Sequence, residues 1–128
     1  MAKTTGMDEE FDENRPLAGS EVSELIAIAR KNLQSHPLGV IEDCNLMLKY
    51  MGNKPHIYEL LGEAQIILKE YIKAENSILT AIALGRNTKS NYLMLASLIK
   101  FRGNQTLSKR YFTIGVKGSF AEEVRVSP

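Results

Sequence analysis

A 34-residue period constrains this chain more than any other feature in it. From Pro55 to Ser90 the sequence holds two amphipathic helical patterns. Tyr58, Leu61, Gly62, Gln65 and Leu68 form the first, and Tyr71, Ala74, Ile78 and Ala81 form the second. Apolar or small residues three or four positions apart share one helical face. Small Gly62 and Ala74 predict a close crossing of two helix backbones, and Gly85 suits a helix end that closes through a left-handed residue. A shift of 34 residues carries Tyr58 onto Tyr92, Leu61 onto Leu95, Gly62 onto Ala96, Ile78 onto Phe112 and Ala81 onto Gly115. Aromatic falls on aromatic, Leu on Leu and small on small. A fixed period of this length is the mark of repeated helical hairpins.

The stretch before Pro55 reads as another hairpin. Ser20 is the expected N-cap, with Glu21 and Glu24 in the first turn. Val22, Leu25, Ile26, Ala29 and Leu33 follow at helical spacing. Ser35-His36-Pro37 breaks that stripe, and Pro37 suits the first turn of a second helix carrying Val40, Ile41, Cys44, Met47 and Leu48. Gly52 and Asn53 end it, and Pro55 opens the next. In strict register Glu24 and Ile28 fall where later copies have an aromatic and a small residue, so residues 20–54 form a degenerate copy whose register slips by about one residue. The third hairpin is expected over 89–101 and 105–116, turning at Gly103-Asn104. Its second helix spreads Leu107, Tyr111, Phe112, Ile114 and Val116 around its circumference. An end repeat needs a polar outer face or a cover, so that side calls for a partner, a second copy or the C-terminal residues.

These residues resemble the tetratricopeptide repeat. Residues 55–88 match its pattern at Tyr58, Leu61, Gly62, Tyr71, Ala74 and Ala81, with Ile78 in an aromatic slot. Residues 89–122 match at Tyr92, Leu95, Ala96, Gly103 and Phe112, and depart at Gln105, Ser108 and Gly115. Arg86 and Phe120 stand where the family closes each copy with Pro. The resemblance implies an all-α fold, with antiparallel helical hairpins stacked as a short right-handed solenoid of about six helices. It divides the chain into an acidic tail (1–19), a repeat domain (20–118) and a C-terminal tail (119–128). A generic antiparallel bundle is the alternative. In size and repeat number the chain is similar to the small export chaperones of type III secretion, an analogy of fold alone.

In such arrays the first helix of each hairpin lines a concave groove. The resemblance places Leu25, Ile26, Ala29 and Leu33 there from the first hairpin, Glu59, Leu60, Glu63 and Ile67 from the second, and Leu93, Met94, Ser97 and Phe101 from the third. Glu59, Glu63, Leu93 and Met94 stand where chaperone-binding relatives hold a peptide carboxylate with Lys, Asn and Arg. An acidic C-terminus would be repelled, and an apolar or amphipathic segment fits better. The expected partner-binding residues are Leu60, Glu63, Ile67, Leu93, Met94, Ser97 and Phe101, with Tyr111 and Phe112 on the uncovered third hairpin.

The 128 residues are 44% apolar and 24% charged, as in an ordinary single globular domain. No apolar run approaches the ~18 residues of a membrane span, and residues 1–19 lack the apolar core of a signal peptide. The expected setting is the cytoplasm. Cys44 is the one cysteine, and its place on an apolar stripe suits a packed thiol. His36 and His56 sit beside prolines at helix starts and read as turn residues. Glu42-Asp43 and Glu122-Glu123 are sequence neighbours that do not face each other on a helix. With no Gly-rich phosphate loop, Cys pair or His-x-x-x-His motif, no catalytic, cofactor or metal residue is expected. Charge is uneven under a net +1. Residues 1–20 carry 2 basic and 5 acidic groups, residues 21–83 carry 6 and 8, and residues 84–128 carry 8 and 2. The acidic start, Asp8 to Glu13 around Phe11, reads as a solvated tail, or more sharply as an arm for a basic surface.

The function these features predict is a non-enzymatic adaptor or assembly factor that holds another protein. A structural subunit packed through the third hairpin is the second reading. The third is a nucleic-acid binder through Lys100, Arg102, Lys109, Arg110 and Lys117, which the near-zero net charge and the lack of a recognition motif disfavour.

Overall fold

The computed structural model describes residues 19–118. Of the expected tails 1–19 and 119–128, residues 1–18 and 119–128 lie outside the described residues, and Gly19 belongs to the first helix. Among the described residues every regular element is helical: α1 (Gly19–Lys31), α2 (Pro37–Met51), α3 (Pro55–Ile67), α4 (Tyr71–Ala83), α5 (Lys89–Phe101) and α6 (Gln105–Lys117). Each helix packs on its neighbours in chain order, most extensively α3 on α4 and α5 on α6, consistent with a stack of helical hairpins. None of these helices is long and apolar enough to cross a membrane.

Helix ends follow local chemistry. Pro37 and Pro55 occupy the first turns of α2 and α3, where a missing N–H costs nothing. Thr88 caps α5 by accepting from the Asn91 N–H at 3.2 Å, and Asn104 caps α6 by accepting from the Leu107 N–H at 3.0 Å. α1 already includes Gly19, so Ser20 lies within the helix and not at its cap. Three helices close in the same way, with the N–H of one residue reaching a carbonyl five back: Glu70 to Gln65, Arg86 to Ala81 and Asn104 to Ile99. The residue before each donor has positive φ. It is Gly85 and Gly103 in two cases, but Lys69 at φ 63° in the third. A left-handed residue bearing a Cβ is strained. Lys69→Gly is therefore expected to raise stability by about 0.5–1 kcal/mol, after allowing for the greater freedom of unfolded glycine. A urea melt whose midpoint does not rise would contradict this.

The period is visible in three dimensions along the second helix of each hairpin. Val40, Ala74 and Ser108 are buried, 34 residues apart, as are Met47, Ala81 and Gly115. Small residues mark the close approaches. A Cβ on Gly62 would stand 2.6 Å from Ile78 Cδ1, so the tight contact at Gly62 is with Ile78 and Ser77. In the next hairpin Ala96 takes the Gly62 position, and the Ser108 hydroxyl donates to its carbonyl at 2.7 Å. Ser108 and Gly115, departures from the tetratricopeptide pattern, are thus contact points. A Cβ on Gly115 would meet Leu93 Cδ2 at 3.1 Å and Tyr92 Cβ at 3.2 Å.

Two apolar clusters result. One joins α1, α2 and α3 around Val40, Cys44, Ile57 and Leu60, and the other joins α4 and α5 around Ala74, Ile78, Leu95 and Ile99. The first hairpin departs from strict register in its first helix. α2 starts at 37 and α4 at 71, one period apart, whereas α1 ends at 31 and α3 at 67. The longer connection after α1 tucks Leu33 into the core. Ile28, in the strict small-residue slot, is 57% exposed, and its neighbour Ala29 is buried instead.

Candidate protein-interaction site

Two open clefts frame the expected binding residues. The first lies on the helices α1, α3 and α5. It encloses about 530 Å³ and is lined by Arg30, Glu59, Glu63, Arg86, Thr88, Ser90 and Met94. One helical turn separates Glu59 from Glu63 on α3, so both carboxylates lie on one side. Arg30 Nη1 donates to Glu63 Oε1 at 2.6 Å, and its Nη2 lies 3.7 Å from Glu59. The Arg86 Nε donates to Glu59 at 3.4 Å from the α4–α5 connection. Asn91 holds that connection in place: it is fully buried, and its side-chain N–H donates to the Arg86 carbonyl at 2.9 Å. The hydrogen bond it donates to Glu63 holds the Arg30 guanidinium above its ordinary pKa against the opposing effect of burial. The cleft floor is therefore a chain of paired charges. Arg30 is 40% exposed, so solvent leaves its pairs worth only about 0–1 kcal/mol each.

The second cleft opens between α5 and α6 at the C-terminal end. It encloses about 550 Å³ and is lined by Ala96, Ser97, Lys100, Gln105, Thr106, Ser108, Lys109 and Phe112. Phe112 is decisive here. Cys44 and Ile78, two and one periods earlier, are fully buried, but Phe112 is 53% exposed. No further helix among the described residues packs on this side of α6. Lys100 and Lys109 rim the apolar floor, and the chain has no Asp or Glu from Asn76 to Ala121.

The nine expected partner-binding residues separate in the structure. Glu63 and Met94 meet in the charged cleft, and Ser97 and Phe112 meet in the terminal cleft. Leu60 is corrected: it has no exposed surface and belongs to the first apolar cluster, because α3 is packed by α1, α2 and α4 at once. Ile67 is half-buried against the same cluster. Leu93 is half-buried against Gly115. Tyr111 is half-buried and stacks on Tyr92, ring centroids 6.1 Å apart. Phe101 is exposed but away from both clefts, tilted against Tyr71 at 4.6 Å. The groove residues Ile26, Ala29 and Leu33 are core, and Leu25 is exposed.

Sequence reasoning missed Arg30 and Arg86 as partners of the α3 carboxylates. The one signal was Arg86 itself, standing where the resembled family has Pro. It also missed Gln105 and Thr106 at the terminal cleft. Lys100 and Lys109 had been grouped by charge, not by place. Arg102, in the same basic group, is held by Glu75 through two hydrogen bonds of 2.8 and 3.0 Å. Burial, with Asp43 nearby, pushes the Cys44 thiol up to about 12, so it is an unreactive packed side chain at neutral pH. Among the described residues no three His, Cys, Asp or Glu side chains are grouped to hold a metal ion. No protein-family model matches the chain, and no curated protein or solved structure matches it.

Proposed function

We propose that this chain is a non-enzymatic protein-interaction module, a short tetratricopeptide-like array acting in the cytoplasm as an adaptor or assembly factor. It holds an apolar or amphipathic segment of another protein in the cleft between α5 and α6. The observation that supports this reading is Phe112. The repeat places it where Cys44 and Ile78 are sealed in the core, yet it is half exposed above an open apolar floor. An aromatic side chain in a pocket with a polar rim is the usual anchor of a protein interface. Lys100 and Lys109 favour a segment with acidic residues flanking its apolar ones. The charged cleft suits this task less, because its carboxylates and guanidinium groups already satisfy one another. A permanent subunit packed through the third hairpin would use the same surface.

Native mass spectrometry of the full chain, gently purified from its host, tests this reading. The expected result is a stoichiometric complex with a second protein. Phe112→Asp should weaken that complex by about tenfold or more, with thermal stability nearly unchanged, since an exposed substitution shifts stability by only about 0.5 kcal/mol. An unaltered complex in the variant would remove the terminal cleft from the account.

A further inference from the structure

We infer that the two ends of this molecule fit each other, so that a second copy docks its α1–α2 end onto the α5–α6 end of the first. The inference rests on the reading of the terminal cleft as a docking surface and names an occupant for it. Within the chain each hairpin's second helix is covered by the first helix of the next hairpin: α3 packs on α2, and α5 on α4. At the ends this pairing is incomplete. Among the described residues α1 follows no earlier hairpin and α6 precedes no later one.

Both end faces are apolar. Successive helical residues are about 100° apart. Arg30 of α1 points to Glu63 of α3, and Ile28 lies about 160° around the helix from it, facing away from α3. In α2, Ile41 and Leu48 pack on the first cluster while Leu46 and Tyr50, on the opposite side, are exposed. In α6, Leu107 packs on the second cluster, and Val116 lies about 180° around from it. Val116 is 55% exposed and shares its face with Phe112.

The end faces also differ in charge. Exposed Glu24, Glu42 and Asp43 lie with Lys31 and Lys49 beside Ile28 and Leu46 at one end, a net −1, and Lys100 and Lys109 lie beside Phe112 at the other. Residues 19–51 carry 4 acidic and 3 basic groups, whereas residues 84–118 carry 7 basic groups and no acidic one. Opposite potentials favour end-to-end approach and disfavour pairing of like ends. Contact between two different surfaces of one chain does not close at two copies, so it continues into a larger ring or an open filament.

Sedimentation of the full chain tests this directly. The expected result at low salt is a mass that rises with concentration beyond the dimer, and less steeply at high salt. Two variants each remove one exposed face: Ile28→Gln with Leu46→Gln, and Phe112→Gln with Val116→Gln. Each should be monomeric alone with an unchanged helical melt. Mixed, each still offers one intact face, so they should form a 1:1 dimer and nothing larger. A wild-type chain that stays monomeric to about 200 µM, where even weak transient contacts begin to show, would overturn the inference. So would a mixture that forms no dimer. A monomeric chain that still binds a different protein through Phe112 would overturn this inference alone. Self-association with no other protein bound would overturn the adaptor reading alone.

Discussion

Ile78→Ala is expected to destabilise the chain by about 2–5 kcal/mol, the usual cost of removing a buried branched side chain and leaving a cavity. Ile78 is fully buried, and its Cδ1 occupies the space that a side chain at Gly62 would need. It also packs in the cluster with Ala74, Leu95 and Ile99, so its loss loosens α4 against both α3 and α5. The contact with Gly62 supplies a stricter test. Gly62→Ala gains about 1 kcal/mol of helix propensity but overpacks against Ile78, at about 1–3 kcal/mol. Ile78→Val removes the nearest atom that the new methyl group meets, Cδ1 at 2.6 Å, and leaves Cγ1 at 2.9 Å, so it relieves the larger part of the clash. The double variant Gly62→Ala with Ile78→Val should thus be more stable than the sum of the single changes predicts, by about 1 kcal/mol. Urea denaturation of the four proteins measures this. Strict additivity would mean that the helices do not cross at Gly62.

Tyr92→Ala is expected to cost about 3–5 kcal/mol. Tyr92 is the largest fully buried side chain among the described residues. Its ring stacks on Tyr111 across the α5–α6 hairpin, and its Cβ packs where Gly115 lets α6 come close. The loss therefore combines a cavity with a broken aromatic pair, itself worth about 0.5–1.5 kcal/mol. Tyr58, one period earlier, is half-buried and donates from its hydroxyl to Asn53 at 3.1 Å. Tyr58→Ala should cost clearly less, about 1–2 kcal/mol. Denaturant unfolding of both variants gives the comparison. Equal losses would mean that the two hairpins bury their aromatic residues alike, contrary to the packing of α5 on α6.

That contrast shows what the amino-acid pattern could and could not reveal. The six helices and most of their boundaries were legible, because Pro37, Pro55, Gly103 and the 34-residue spacing act through local backbone chemistry; the two ends of α1 were not. The burial of Cys44 was legible because Val40, Ile41, Cys44, Met47 and Leu48 share one face of α2. The facing of α3 was not. Ile57, Glu59, Leu60, Leu61 and Gln65 are all buried around that helix, since three other helices enclose it. An enclosed helix carries no stripe that separates groove from core, so Leu60 was assigned to the wrong side. Glu59 resisted reading for a related reason. A carboxylate can be buried once Arg30 and Arg86 reach it, and those two residues come from sequence positions 29 before and 27 after it. Helical spacing already set Ala29 rather than Ile28 on the apolar stripe of α1, and the structure buries Ala29 and exposes Ile28. At the terminal cleft, Phe112 was marked by its apolar type on an end helix, but Lys100, Gln105 and Lys109 become its neighbours only through the α5–α6 crossing.

Site-specific photo-crosslinking in the native host tests the central claim most directly. A photoreactive residue would be placed at position 112 in the terminal cleft and, as a control, at position 72, where Ile72 is exposed on α4. The account predicts a discrete crosslinked species from position 112 and none from position 72. Matching patterns from the two positions, or a crosslink from position 72 alone, would contradict it.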